Sequence, residues 1–251
     1  MGTGHEGKAG IIWNTFKARM GVTTQPVMLF NLESMIDPSE GLESLTELFT
    51  QLEIDAVIRH MPRDKAPGLD AFNGHFLKTC WHIVKHDFYK LCSDFQKEAV
   101  NLVSINDGLI TLVPKISNPE TINDYRPISL LNCILKLITK LLADRLQQVI
   151  IRLIHRNQYG FIRTRSIQDY LAWSFEYIHQ CKHSRREAII LKLNFEKAFD
   201  TVEHVAITQI LSQIGFPSKW ISWINTILST GNSSVILNGV PGKKFQCRRG
   251  V

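Results

Sequence analysis

Hydrophobic residues along the chain recur mostly at the spacing of one helical face, and a few short apolar runs separate these stretches. Helical spacing predicts helices over residues 11–20, 38–60, 74–81, 83–101, 128–155, 167–179, 202–214 and 218–228. Residues 128–155 fit either one long helix or two joined helices. Short apolar runs predict strands over residues 108–113, 188–190 and 233–237, with a returning strand at 244–247. The pattern therefore predicts an α+β fold that is mostly helical.

Turn-forming residues separate several of the predicted helices and strands. Two prolines and a glycine make residues 61–70 a rigid loop, and Gly-Phe-Pro at residues 215–217 separates the last two helices. Asn238-Gly239 predicts a tight turn between the last two strands. The polar, Gly-rich residues 1–9 predict a disordered start.

Composition narrows the class of protein. The chain has 251 residues, 44% of them hydrophobic and 21% charged, which suits one large domain or two small ones. Its formal net charge of +6 is compatible with a polyanionic partner without requiring one. The 5 cysteines are widely spaced, which favours a reducing intracellular location, in nucleus or cytoplasm. No secretory signal opens the chain, and charges interrupt its most apolar segment, residues 128–154, so no membrane span is expected.

Polar residues concentrate after the predicted strand at residues 188–190, where a strand leaves the core and a helix begins. Residues 191–200 read Leu-Lys-Leu-Asn-Phe-Glu-Lys-Ala-Phe-Asp. This stretch resembles the first palm motif of reverse transcriptases, in the form ending Lys-Ala-Phe-Asp that LINE-type (non-LTR) retrotransposons use. Among LINE-type elements, the chain resembles those of plants.

Three other segments carry the same resemblance. Lys-Ala-Pro-Gly-Leu-Asp at residues 65–70 matches the opening signature of LINE-type polymerases. Residues 108–115 and 125–131 together resemble their two-stranded fingers motif, and residues 158–166 resemble the block that follows it. The resemblance implies an incomplete right-hand polymerase, made of the fingers plus the first part of the palm.

The resemblance also divides the chain. Residues 1–37 are expected to be a disordered N-terminus and a connector remnant, with residues 25–37 extended or in a loop. Residues 38–251 are expected to be a partial reverse transcriptase domain, with fingers at about 38–185 and the start of the palm at about 186–251. Neither the family's Gln-Gly-Asp-Pro block nor its aromatic-Ala-Asp-Asp turn, which carries two further carboxylates, is found in the sequence. We therefore expect a truncated domain.

Single side chains gain expected roles from the resemblance. Lys115 and Arg126 are expected to approach the triphosphate of an incoming deoxynucleotide, and a plain surface charge is the alternative for each. Phe199 is expected to be the gate that excludes a ribose 2′-hydroxyl, with a core phenylalanine as the alternative. Arg163 and Arg165 are expected to bind the backbone of a single-stranded template.

The segment before the predicted helix at residues 167–179 gives three local expectations. Gly160 could permit a positive φ or a close backbone approach. Either Ser166 or Thr164 is expected to cap the helix. The aromatic residues of that helix are expected to lie in the core.

Asn194 stands where the family has an aspartate that binds catalytic metal. Nucleotide addition uses two divalent ions, and Mg²⁺ is held largely by carboxylates. Because an amide lacks the negative charge, we expect no productive Mg²⁺ binding and assign no metal ligand. The resemblance implies an RNA template, a DNA primer and deoxynucleotides as partners. We therefore predict a reverse transcriptase fragment that is inactive as it stands. The alternative is a non-catalytic, basic nucleic-acid-binding remnant.

Overall fold

A computed structural model describes residues 4–23 and 31–251. The helices of this part are α1 His5–Met20, α2 Gln51–His60, α3 Gly74–Gln96, α4 Cys133–Leu153, α5 Ile167–His183, α6 Ala198–Thr201, α7 His204–Ile214 and α8 Ser218–Ser229. The strands are β1 Asp107–Pro114, β2 Tyr125–Leu130, β3 Asn232–Leu237, β4 Val240–Pro241 and β5 Phe245–Gln246. The predicted α+β class, with helix predominant, is confirmed. Residues 1–3 of the predicted disordered start, and residues 24–30, lie outside the described part.

The chain forms two compact units. The first combines Met1–Leu141 with Lys197–Val251, and the second is Leu142–Glu196. The first unit holds the sheet and all the helices except α5 and the later part of α4. The division into fingers and palm drawn from the sequence stays a prediction. Among the described residues, none of the helices combines the length and the apolar character needed to cross a bilayer.

The sheet has the strand order β2-β1-β3-β4, and β5 also pairs with β3. β1 and β2 form an antiparallel hairpin, while β1 and β3 run parallel with Ile110 opposite Val235. The tight turn predicted at residues 238–239 is confirmed, because Asn238 and Gly239 have φ of 52° and 80° and join β3 to β4. The returning strand predicted at residues 244–247 is shorter than expected, since within that range only Phe245 and Gln246 form a strand, β5.

Helix α1 packs against this sheet. Phe16 is 1% exposed and lies in one cluster with Ile110, Val235 and Phe245. The prediction of disorder over residues 1–9 is wrong for residues 5–9, which form the first turns of α1. The physical reason is that burying one face of a helix stabilises its neighbouring turns, whatever their own polarity.

A second core joins α2, α3 and the start of α4. Its buried members are Ile54, Val57, Ile58, Leu77, Cys92, Cys133, Leu137 and Leu141. Asp55 ties two turns of α3 to α2, since its Oδ1 accepts bonds from Trp81 Nε1 at 2.8 Å and from the Tyr89 hydroxyl at 2.6 Å. Burial and the Asp55 carboxylate raise the pKa of Tyr89 to about 12. Tyr89 therefore donates this bond throughout the physiological pH range.

The helix predicted over residues 38–60 is wrong in its first half, because α2 begins only at Gln51. Thr50 and Glu53 form a reciprocal capping box that fixes this start. Before it, the buried Gln96 side chain accepts a bond from Phe49 N at 2.8 Å and donates one to Glu47 O at 2.7 Å. The Phe49 N–H and the Glu47 carbonyl therefore bond to a side chain of α3, in place of partners in a helical turn.

Helix α3 also differs from expectation. Two helices meeting near residue 82 were expected, but one helix runs from Gly74 to Gln96. Trp81 and Tyr89 both bond to Asp55, so they hold both sides of the expected break against the same partner. The segment contains no internal proline to interrupt the helix.

The predicted helical hairpin near the end of the chain is confirmed as α7 and α8. Gly215 ends α7 with φ of 93°, a left-handed conformation that favours glycine. Pro217 lies directly before α8. Trp223 of α8 is 1% exposed, and its ring lies 5.7 Å from that of Phe95 and 6.2 Å from that of Phe49. The hairpin therefore belongs to the helical core of the first unit.

Candidate functional site

The first palm motif lies on an exposed segment. A buried strand was predicted at residues 188–190, but residues 187–195 have no regular structure, and Ile189 is 98% exposed. The prediction of a strand here is wrong for the described chain. A strand needs a hydrogen-bonded neighbour, and the described strands pair among themselves and leave this segment without one.

Asn194 lies in this segment and is exposed. Among the described residues, no group of three His, Cys, Asp or Glu side chains is placed to hold a metal ion. Asp200, at the end of the motif and in the first unit, pairs through its carboxylate with the Arg19 guanidinium at 3.3 Å. A neutral amide at position 194, without a group of three metal-ligating side chains among the described residues, does not fit a two-metal centre, which needs several acidic ligands.

The end of the β1–β2 hairpin carries both of the predicted triphosphate ligands. Arg126 lies opposite Val113 in the antiparallel register, and Lys115 follows β1. Lys115 is held in place twice: its backbone N–H donates to Asp124 O at 2.7 Å, and its Nζ donates to Asn123 O at 2.8 Å. Both side chains are exposed. The hairpin therefore presents the two cations at one end, where an anion can reach them.

Sequence reasoning missed a third cation at the same place. Lys197, the first residue of the Lys-Ala-Phe-Asp motif, donates from Nζ to Asn123 Oδ1 at 2.9 Å. Lys115 and Lys197 thus bond to the same asparagine of the hairpin connection. Lys197 has a left-handed backbone with φ of 50°, an uncommon conformation for a residue other than glycine. The only signal in the sequence was its place in the motif.

Phe199 and Asp200 follow Lys197 in the short helix α6. Phe199 is 59% exposed, so it is not a core residue, and its role as a gate stays a prediction. Its carbonyl accepts a bond from Val251 N at 2.9 Å. Gly250, with φ of 87°, lies so close that a Cβ there would be 3.0 Å from Asp200 O. Together with the Arg19 ion pair, these contacts anchor the motif's end within the first unit.

The second unit holds the predicted template-binding arginines. The Arg163 guanidinium pairs with Asp144, and Arg165 Nη1 donates to His155 O at 2.9 Å and to Gln158 O at 2.5 Å. Both side chains therefore fasten their own loop as well as carrying charge. Arg163 keeps 57% of its side chain exposed, which leaves part of the guanidinium accessible to a phosphate.

The expectation for Gly160 needs correction, and the expectation of a helix cap is confirmed for Ser166. The positive φ, of 64°, belongs to Phe161 and not to Gly160, where a Cβ would meet only Gln158 Nε2 at 3.6 Å. Ser166 caps α5, since its hydroxyl accepts a bond from Gln168 N at 3.1 Å. Gly160 is therefore not required by backbone geometry.

The aromatic residues of α5 do not form a core. None of the described residues of α5 is buried, and Trp173 and Tyr177 are 49% and 55% exposed. Their rings stack with centroids 5.5 Å apart. The prediction of a core cluster is wrong because the second unit has only α5, the later part of α4 and their loops, too little chain to cover both faces of α5. The face offers flat rings of the kind on which bases stack.

Comparison with known proteins agrees with the motifs. The family described as reverse transcriptase (RNA-dependent DNA polymerase) matches residues 113–251, more than half of the chain. The chain is 27% identical over 196 residues to the transposon TX1 uncharacterized 149 kDa protein of Xenopus laevis, covering 78% of the chain and 15% of that protein.

Two further relatives carry names from mobile elements. The Pol polyprotein from the type-1 retrotransposable element R2 of Popillia japonica is 28% identical, over 56% of the chain and 20% of that protein. The probable RNA-directed DNA polymerase from transposon X-element of Drosophila melanogaster is 24% identical, over 94% of the chain and 27% of that protein. The chain thus spans little more than a quarter of these relatives at most, and its likeness to plant elements stays a prediction.

Proposed function

The chain belongs to the reverse transcriptase (RNA-dependent DNA polymerase) family, and from that we propose that it is the fingers and first palm segment of a LINE-type retrotransposon polymerase. In the intact polymerase these residues would help to add deoxynucleotides to a DNA primer on an RNA template. Residues 38–185 would be the fingers, and residues 186–251 the start of the palm. The relatives from R2 and the X-element support this assignment.

The observation that carries the proposal is the meeting of hairpin and palm motif at Asn123. Lys115 bonds to the Asn123 carbonyl and Lys197 to its side chain, and Arg126 lies on the adjacent strand. Three cations at one end of a hairpin attract a polyanion, and arginine adds a bidentate fork for phosphate oxygens. We infer that the triphosphate of the incoming nucleotide binds here.

Binding of a fluorescent deoxynucleoside triphosphate tests this role directly. We expect the double variant Lys115→Gln, Arg126→Gln to bind at least about fivefold more weakly, because glutamine keeps a donor but loses the charge. The matched control is Arg59→Gln with Lys85→Gln, which removes the same charge from α2 and α3. Equal weakening in both double variants would contradict a local triphosphate site.

Reverse transcriptases use divalent metal ions, and we propose Mg²⁺ as the ion of the intact family. Asn194 would lie at the metal position, but its neutral amide makes residues 1–251 a poor metal ligand set. The polypeptide is therefore proposed to be inactive on its own. Phe199 is proposed as the gate against a ribose 2′-hydroxyl, since its side chain is exposed.

An alternative function is supported by the second unit. It combines Arg163 and Arg165 with an exposed stacked pair of rings, Trp173 and Tyr177, which together suit single-stranded RNA. A non-catalytic remnant could retain this binding whatever happens at position 194. Its partners would be nucleic acids alone, without deoxynucleotides.

Salt dependence of RNA binding tests this alternative. We expect residues 1–251 to bind a single-stranded RNA oligonucleotide more weakly as salt rises, since bound cations release counterions from phosphates. The double variant Arg163→Ala, Arg165→Ala should bind more weakly and flatten the salt slope by at most about two contacts. Thermal unfolding must be measured in parallel, because both arginines also fasten their loop. An unchanged slope in a folded variant would place RNA binding elsewhere.

A further inference from the structure

A cavity of about 420 Å³ lies in the first unit, between α2, the loop of residues 61–74, β2 and the first turns of α4. Its walls include the apolar side chains of Val57, Met61, Pro62, Phe72, Ile128 and Leu130. Ligand sites for small molecules typically have this size and this mainly apolar lining. The cavity is separate from the end of the hairpin where the triphosphate is proposed to bind, since none of the three cations there lines it.

The loop that forms one wall is held rigidly. A Cβ on Gly68 would lie 2.4 Å from the carbonyl carbon of Leu131, so the loop backbone touches the start of α4. The Asp70 carboxylate accepts a bond from Cys133 N at 2.6 Å, and Asp70 N donates to Asn132 Oδ1 at 3.1 Å. At the other end of the loop, a Cβ on Gly74 would lie 2.1 Å from Pro62 O. The cavity is therefore preformed and loses little entropy when it is filled.

The charge around the cavity has one sign. Lys65, Lys136 and Lys140 line it together with His60, and no acidic side chain belongs to the described lining. Lys136 Nζ donates to Ala66 O at 3.0 Å, which fixes its ammonium beside the loop. Apolar walls with a cationic rim match a molecule that has an apolar body and an anionic end.

Phe72 gives the apolar part of the site a flat surface. Its ring stacks on Phe76, with centroids 4.5 Å apart and an angle of 9° between the planes. Phe72 is nevertheless 42% exposed, so part of its side chain stays accessible. Aromatic faces favour planar partners, because offset stacking adds to the burial of apolar area.

We propose that this cavity binds a small aromatic anion, with its ring system between Phe72 and Ile128 and its carboxylate, sulfonate or phosphate group near Lys65 and Lys136. The site is independent of the polymerase proposal, since it uses none of the residues assigned to the triphosphate, the metal or the template. The bound molecule would stiffen the contact between the loop and α4.

Anilinonaphthalene sulfonate is a suitable probe, because it joins flat rings to one sulfonate and fluoresces when its rings leave water. We expect saturable binding of one dye to the folded chain 1–251. Ser129→Phe, which fills the cavity from β2, should weaken binding by at least about tenfold, or 1.4 kcal/mol. Ser117→Phe is the matched control, because residue 117 lies in the loop between β1 and β2 and does not line the cavity.

A second pair of variants keeps the test valid if Ser129→Phe does not fold. The double variant Lys65→Gln, Lys136→Gln should bind the dye at least about fivefold more weakly. The control double variant Lys85→Gln, Lys97→Gln, on α3 and directly after it, should bind the dye as tightly as the unmodified chain. Equal affinities in every variant would overturn the proposal. Displacement of the dye by an RNA oligonucleotide whose own binding is lost in Ser129→Phe would also overturn it, in favour of a nucleic-acid base in the cavity.

Discussion

Asn194→Asp should raise primer extension by at least about 10²-fold in a chimera that joins residues 1–251 to the following palm segment of an active reverse transcriptase. The reason is that a carboxylate supplies the charge and the second oxygen that an amide lacks as a Mg²⁺ ligand. In the polypeptide 1–251 alone, neither residue should support extension, since one carboxylate cannot hold two metal ions. Incorporation of labelled deoxynucleotide on an RNA template measures both expectations.

Asn101→Asp in the same chimera is the matched control. The Asn101 side chain accepts a bond from Val103 N at 3.1 Å, and an aspartate there keeps that bond while adding the same charge. Equal extension with asparagine and with aspartate at position 194 would mean that position 194 is not the metal site. Asp200 would then be tested next, although its carboxylate already pairs with Arg19.

Gly68→Ala should destabilise the protein by about 3 kcal/mol, a large effect for the addition of one methyl group. The new Cβ would lie 2.4 Å from Leu131 C and 2.5 Å from Asn132 N, both of them backbone atoms that cannot rotate away. Relieving the clash requires the loop to move off the start of α4, which breaks the Asp70 bonds to Asn132 and Cys133. Urea denaturation followed by circular dichroism measures the loss.

Gly10→Ala provides the comparison for the same chemical change. Gly10 lies within α1, and nothing is within 4 Å of the position that its Cβ would occupy. Alanine should stabilise the protein there by about 0.5–1 kcal/mol, since glycine loses more backbone freedom on folding. A Gly68→Ala variant as stable as wild type would show that the loop does not dock closely on α4.

Elements whose signals are local were predicted well from the sequence. Gly215 marked the end of α7, and Asn238-Gly239 marked the turn after β3. The hairpin of β1 and β2 followed from the apolar run at residues 108–113 and from the family resemblance of residues 108–115 and 125–131. Each of these depends on backbone preferences of one or two residues or on pairing with the next segment.

Elements whose state depends on distant partners were not predictable in the same way. The apolar run at residues 188–190 has the composition of a strand but finds no neighbouring strand in the described chain. The start of α2 is set partly by Gln96, which lies on another helix. Composition did not indicate that Lys197 joins Lys115 and Arg126 at the end of the hairpin. Its contact with Asn123 depends on packing between segments 74 residues apart.

The unpaired segment at residues 187–195 makes the protein divisible into two polypeptides. A cut after Lys192 would separate a long piece from one of residues 193–251, which carries α7, α8 and β3. β3 pairs in parallel with β1, and Trp223 packs on Phe95, so both contacts join the pieces without a covalent link. We therefore expect the first unit to assemble from two separately made polypeptides, with the cut placed where the backbone pairs with no strand of the described chain.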